Sequence, residues 1–297
     1  MKKRSTFMLT RSAVGKLMST LRKEPLPSTI KVEPSNACML KCISCPKSNG
    51  MRRRKGLMSM ETFRLLIGGI TWPVSRLNWS FAGEPLTHPR LFDMVRMAAD
   101  RGILSKVDTN GMLLERFIDP ILSSKRHHLN VALEGVTEDV AGKFRIGYDL
   151  GSVLRGVRGL CNKRKELKVH CLWISLNYLV KRQNEHQIQD AIKLTREYGA
   201  DEIIFKSMNL NVGSTLDEFR FQQLANEYLP ENPRFLRYEK EGPRWVRTGE
   251  QLRLCTSVDN AITVLWDGRV SICCLDYEGE FVGGGTSTMT RSRRYGD

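Results

Sequence analysis

Six short stretches rich in β-branched and aromatic residues alternate with five amphipathic ones over residues 28–210, and that alternation limits the fold more than any other feature. The strand-like stretches are "STIKVEP" (28–34), "RLNWSFAG" (76–83), "LSKVDTNG" (104–111), "HLNVALEG" (128–135), "KVHCLWISLNYLV" (168–180) and "DEIIFKSMNL" (201–210). Between them lie "SMETFRLLIGGI" (59–70), "RLFDMVRMAADRG" (90–102), "LLERFIDPIL" (113–122), "LGSVLRGVRGLCNKRK" (150–165) and "NEHQIQDAIKLTREYGA" (184–200). These read as helices; Ser59 offers an N-cap to the first and Gly199 a stop to the last. Consecutive βα units build a parallel sheet, so the fold class is α/β. In such sheets the chemistry gathers at the carboxyl ends of the strands.

The segment after the first strand, "EPSNACMLKCISCP" (33–46), places Cys38, Cys42 and Cys45 in a C-x3-C-x2-C spacing. A soft thiolate triad selects an iron–sulfur cluster, zinc or copper. Structural zinc is normally closed by four protein ligands. The loop supplies three and contains no histidine. Either a cubane cluster keeps one iron open, or a zinc ion recruits a distant ligand such as Cys161 or Cys171. The chain has eight cysteines, and their tight local spacing without a signal peptide favours metal over disulfides. Cys161 and Cys171 read as buried structural thiols in a helix and a strand.

The motifs that follow decide between these readings by resemblance. The cysteine loop after the first strand resembles the signature of the radical S-adenosylmethionine (radical SAM) superfamily. "AGEP" (82–85), after the second strand, is similar to that family's Gly-Gly-Glu-Pro motif, which contacts the methionine amino group. "DTNG" (108–111) and "ALEGVTEDV" (132–140) resemble the next two strand ends, and "FRIG" (144–147) resembles the arginine that binds the methionine carboxylate. Where the family form is Ser-hydrophobic-Asp-Gly, this chain has Ala132-Leu133-Glu134-Gly135. The resemblance covers roughly residues 28–210 and implies a partial (β/α)6 TIM-like barrel. It implies that Cys38, Cys42 and Cys45 hold a 4Fe-4S cluster and that Gly83, Glu84, Pro85, Asn110, Glu134 and Arg145 line the S-adenosylmethionine site. In that scheme Glu84 accepts from the ammonium, Pro85 stiffens the turn and Arg145 pairs with the carboxylate. The implied reaction is reductive cleavage of S-adenosylmethionine to a 5'-deoxyadenosyl radical, which abstracts hydrogen from a small-molecule or peptide substrate. A low-potential donor of flavodoxin or ferredoxin type and an oxygen-protected cytoplasm follow.

Beyond the barrel, residues 211–250 are polar and read as a linker or lid. "NAITVLWDGRVSICCLDYEGEFVGG" (260–284) reads as a hairpin turning at Asp267-Gly268, in a unit of residues 251–284 whose "CTSVDNAITVLWDGRVSICC" (255–274) carries three cysteines. It resembles the opening of the SPASM or Twitch extension, whose cysteines hold a second 4Fe-4S cluster. Cys255 and Cys273 would be its ligands here, and no cysteine follows Cys274. Buried thiols facing across a hairpin are the alternative. Residues 285–297 carry no packing pattern and are expected to be disordered, as in a truncated or frame-shifted form of a longer protein. The 27 residues before the first strand read as a basic helical segment, too few for a leader-peptide recognition domain. That favours a small-molecule dehydrogenation, of the aminocyclitol kind, over a peptide maturase. Net charge is +15, with one dense run, "RRRK" (52–55). This is a solvated basic face or a nucleic-acid contact; the absence of an RNA-binding signature favours the former. A zinc-stabilised or degenerate non-catalytic paralogue is the remaining alternative. No apolar run approaches the length of a membrane span.

Overall fold

All six expected strands form and lie side by side in one sheet. They are β1 (Thr29–Val32), β2 (Arg76–Trp79), β3 (Leu104–Thr109), β4 (His127–Leu133), β5 (Leu172–Val180) and β6 (Glu202–Ser207). In this computed structural model the described residues are 26–125, 127–210, 216–248 and 260–280. Cys255, most of the N-terminal basic segment and the tail from 285 onward lie outside them.

Each consecutive pair of these strands is parallel and in register, Lys31 beside Asn78, Asn78 beside Lys106 and Lys106 beside His128. Parallel neighbours need a crossover, and helices supply all five. They are α1 (Met60–Gly69), α2 (Leu91–Asp100), α3 (Leu114–Ser123), α4 (Leu150–Glu166) and α5 (Ile188–Tyr198). The local signals work as read. Ser59 Oγ accepts the Thr62 amide at the start of α1, and Gly199 closes α5 in the left-handed region at φ 75°. Strand residues that turn outward, such as Ile30, Val32, Leu77, Trp79, Val107, Leu129 and Ile174, are fully buried under the helices and form one continuous apolar core.

The stretch expected as a linker or lid contains regular structure among its described residues. It carries α6 (Glu218–Tyr228) and an antiparallel hairpin of β7 (Tyr238–Glu241) and β8 (Arg244–Arg247). Phe221, Leu224, Tyr228, Tyr238 and Trp245 make a second apolar cluster that also takes in Phe144 and Met208. Its composition misled because the charged residues of "RYEKEGPRWVR" point to water while Tyr238 and Trp245 point inward.

The C-terminal hairpin forms where Asp267-Gly268 predicts it, between β9 (Ala261–Val264) and β10 (Val270–Ser271). It is not a detached unit: β9 pairs in parallel with β1, so the sheet runs β10-β9-β1-β2-β3-β4-β5-β6. Among the described residues no ladder joins β6 to β10, so the barrel is partial.

One arginine of the basic run is internal. Arg53 is nearly buried and grips the fully buried Glu33 through both nitrogens, at 2.6 and 2.8 Å. Its Nε donates to the Tyr277 carbonyl at 2.5 Å. Arg52 meets Glu280 at 3.0 Å. Tyr277 stacks on Phe81, and the Trp266 indole lies where Gly56 leaves room for it. Arg53 inside, and Arg52 at the surface, therefore tie the cysteine loop to the C-terminal segment. Arg54 and Lys55 are exposed.

Candidate active site

The cysteine loop is shaped by side chains that cap its own backbone. Fully buried Asn36 accepts the Gly56 amide on Oδ1 and donates to the Arg54 carbonyl, so the loop folds back on itself. Asn49 donates to the carbonyls of Ile43 and Cys45, and Lys47 to that of Cys38. A two-residue ladder sets Cys42 opposite Arg145. Cys38, Cys42 and Cys45 are partly buried free thiols. Burial pushes the thiols of Cys38 and Cys42 up, Cys42 to about 11 even with Arg145 pulling it down.

The second strand end contributes a turn that only glycine fits. Gly83 has φ 109°, and a Cβ there would meet the Ser35 carbonyl oxygen at 2.5 Å and Asn36 Cα at 2.6 Å. Glu84 follows, buried, with its amide on the Ala37 carbonyl. Its carboxylate accepts the Leu86 amide at 3.0 Å, the Thr109 hydroxyl at 2.6 Å and the Asn110 amide at 2.8 Å. Burial raises its proton affinity and these three donors oppose the rise. A carboxylate has about four acceptor positions, so one remains for a ligand. Pro85 opens a short 3-10 turn, Pro85–Thr87, in the position where its missing N–H costs nothing. Gly83→Ala is expected to lower stability by about 1–3 kcal/mol through backbone strain, seen as a fall in Tm. An unchanged Tm would show that the turn accepts a Cβ.

The third and fourth strand ends meet these. Asn110 Nδ2 lies 3.7 Å from Cys38 Sγ. Glu134, completely buried, accepts Arg145 Nε at 2.6 Å and Lys181 Nζ at 2.5 Å. Lys181 is itself 1% exposed, donates also to the Leu179 carbonyl and sits over the Phe144 ring. Sequence reasoning found Glu134 and Arg145 but missed Lys181; a lysine closing a strand is ordinary until its neighbour is known to be a buried carboxylate. Thr109 was missed for the same reason, Glu84 being its partner; Asn36 and Asn49 were missed because their partners are main-chain groups of the loop. His88 is buried, its ring bound to the Met58 carbonyl and the Arg90 amide, which fits a structural residue.

The motif residues converge on one cavity of about 400 Å³ at the carboxyl ends of β1–β6. Cys38, Cys42, Cys45, Gly83, Glu84, Asn110, Glu134 and Arg145 line it. Pro85 is buried behind it. Cys161 is buried too, but Cys171 is exposed just ahead of β5, which corrects the expectation that it packs inside. Neither lines the cavity, so neither stands ready to complete a zinc site there. Cys273 and Cys274 are partly buried free thiols at the end of the C-terminal hairpin.

A profile of the Radical SAM superfamily matches residues 32–195, more than half of the chain. The chain belongs to the radical SAM superfamily. Its relatives within that superfamily are distant. It is 25% identical over 258 residues to the tungsten-containing aldehyde ferredoxin oxidoreductase cofactor-modifying protein of Pyrococcus furiosus, covering 82% of this chain and 69% of the relative. It is 26% identical over 179 residues to the PqqA peptide cyclase of Gluconobacter oxydans, covering 60% and 48%. Streptococcus suis SuiB bound to S-adenosylmethionine superposes with a TM-score of 0.61 at 15% identity, covering 86% of this chain and 63% of SuiB, a likeness of fold. The chain thus spans about half to two thirds of these proteins' own length.

Radical SAM proteins use a 4Fe-4S cluster and S-adenosylmethionine, and the residues here suit both. The donor set is three soft thiols from one loop facing a shared cavity. Among the described residues no three His, Cys, Asp or Glu side chains converge closely enough for a single ion. Among the described residues no helix is long and apolar enough to cross a membrane.

Proposed function

We propose that this radical SAM protein is an oxidoreductase that cleaves S-adenosylmethionine reductively and abstracts hydrogen from a small substrate in the barrel mouth. The observation that carries the reading is the opening of the three free cysteines, Glu84 and Arg145 onto one cavity. Cys38, Cys42 and Cys45 would hold the cluster. When bound, the cluster and S-adenosylmethionine supply one-electron cleavage of the sulfonium to methionine and a 5'-deoxyadenosyl radical, which takes a hydrogen atom from a substrate C–H bond and leaves as 5'-deoxyadenosine.

The chain's own groups position and shield. Gly83 lets its turn pack against the Ser35–Asn36 backbone of the cysteine loop, and Glu84 keeps one acceptor position for an ammonium. Arg145 spends its Nε on Glu134 and retains donors for a carboxylate. Lys181 and Arg145 together outweigh the single charge of Glu134, so this corner is net positive and suits an anion. Ala132 offers no hydroxyl there. The Arg53–Glu33 pair and the Phe81–Tyr277 stack wall off one side from water. Cys273 with Cys255 remains a candidate second-cluster pair, within a partial SPASM- or Twitch-like hairpin. A low-potential flavodoxin or ferredoxin as donor, and a cytoplasmic setting, belong to the same proposal.

Peptide maturation is the second reading, favoured by the similarity to the PqqA peptide cyclase. Anaerobic reconstitution followed by S-adenosylmethionine and dithionite tests the first-order claim. The expected result is about four irons per chain and formation of 5'-deoxyadenosine; a colourless protein with bound zinc and no 5'-deoxyadenosine would overturn it.

A further inference from the structure

Below the proposed S-adenosylmethionine site the same cavity has a floor that sequence motifs do not describe. Asp108, Asn130, Asn177 and Lys206 stand on β3, β4, β5 and β6 and line it. Resting on the radical SAM reading, we propose that this floor is the substrate subsite and that it takes a small polyhydroxylated molecule, cyclitol- or sugar-like.

The argument begins with unsatisfied groups. Asn130 is 1% exposed. Its Nδ2 donates to Asp108 Oδ1 at 2.5 Å, which fixes the amide so that Oδ1 is the free end. That Oδ1 is buried with no partner, and so is Oδ1 of Asn177. Buried polar side chains are nearly always hydrogen-bonded, so two orphans beside one cavity call for a ligand. Asp108 Oδ2 has no hydrogen bond among the described residues, and Lys106 approaches only Oδ1, at 4.0 Å. Lys206 makes no ion pair within 4.0 Å among the described residues and faces the cavity with a free ammonium.

The mixture of charges selects the ligand. The floor presents acceptors on Asp108 and Asn130, an amide on Asn177 and a cationic donor on Lys206. A ligand ammonium would satisfy the acceptors but oppose Lys206. A ligand carboxylate would pair with Lys206 but oppose Asp108. A hydroxyl both donates and accepts, so a run of hydroxyls satisfies all four groups at once. An apolar peptide side chain would cover these groups and leave them unpaired, at a large loss of affinity.

The test titrates myo-inositol, D-glucose and D-glucitol into the reconstituted full-length protein by calorimetry, with acetyl-leucinamide as the hydroxyl-free probe. At least one polyol should bind saturably and acetyl-leucinamide should not. Asn177→Leu and Lys206→Met should each weaken that polyol about tenfold while keeping the wild-type iron content. Lys206 is exposed, so its variant folds even if a buried change does not. Without ligand, Asn177→Leu should raise Tm by about 2 °C, because it deletes an orphaned acceptor; a merely structural asparagine would lower it. No polyol binding to the wild type, undiminished binding by both variants, or equal binding of acetyl-leucinamide would overturn the proposal. Polyol binding by a protein that takes up no iron would support the floor while removing the radical reading.

Discussion

Cys38→Ala, Cys42→Ala and Cys45→Ala, made together, are expected to take bound iron from about four per chain to none and 5'-deoxyadenosine to background. The fold should survive. The three thiols are only partly buried, and the loop is held by other groups: Asn36, Asn49, Lys47 and the main-chain ladder from Cys42 to Arg145. An unchanged Tm of the iron-free protein beside the iron-free variant checks this. The raised thiol pKa values mean that ligation must displace protons, so iron uptake should improve as the reconstitution pH rises. If the wild type holds about eight irons and about four survive the triple change, a second cluster assembles and Cys273 becomes its first suspect. Retention of all the iron by the variant would place the ligands elsewhere and sink the assignment.

Glu134→Ala is expected to cost about 3–5 kcal/mol of stability, because it leaves two cations facing each other with no counter-charge in a buried site. Arg145 and Lys181 both lie within 2.6 Å of its oxygens. Adding Lys181→Met should restore much of the loss, since Arg145 is a quarter exposed and can reach water in the cavity. A double variant as unstable as Glu134→Ala would show that repulsion is not the cause. The triad also sets an acid limit. Burial alone would push the Glu134 carboxyl up, but Arg145 and Lys181 outweigh it and hold the group below the usual carboxylate range. A pKa depressed on folding stabilises above the unfolded value, about 4.3, and the gain is lost as pH falls through the folded value. Urea midpoints from pH 7 to pH 3 should therefore fall below about pH 4, and Glu134→Gln should flatten that part of the profile.

What the sequence disclosed, and what it hid, divides along a physical line. Local signals survived folding: the six strands, the Ser59 cap, the Gly199 stop and the Asp267-Gly268 turn each act within a few residues. The cysteine loop and "GEP" were legible because chemistry demands those residue types at that spacing. Long-range pairing was not legible. Arg53 read as solvated until Glu33 and the Tyr277 carbonyl were seen around it. Lys181 follows a strand end without any motif to mark it, and its role shows only through Glu134 beside it. The 211–250 stretch read as a linker or lid because its aromatic anchors are few and widely spaced among charges. Asn130 and Asn177 looked like ordinary polar strand residues; only burial reveals that their oxygens have no partner.

The place of β9 beside β1 carries a consequence for how the molecule is made. Val264 pairs with Val32, about 230 positions away, and the ribosome needs roughly 10–50 s to cover that distance. During that interval β1 presents a bare edge, and Arg53 can reach Glu33 but not Tyr277. Closing so long a loop costs entropy that few early contacts offset. The contacts from Arg53 and Phe81 to Tyr277 are thus among the last parts of the molecule to assemble.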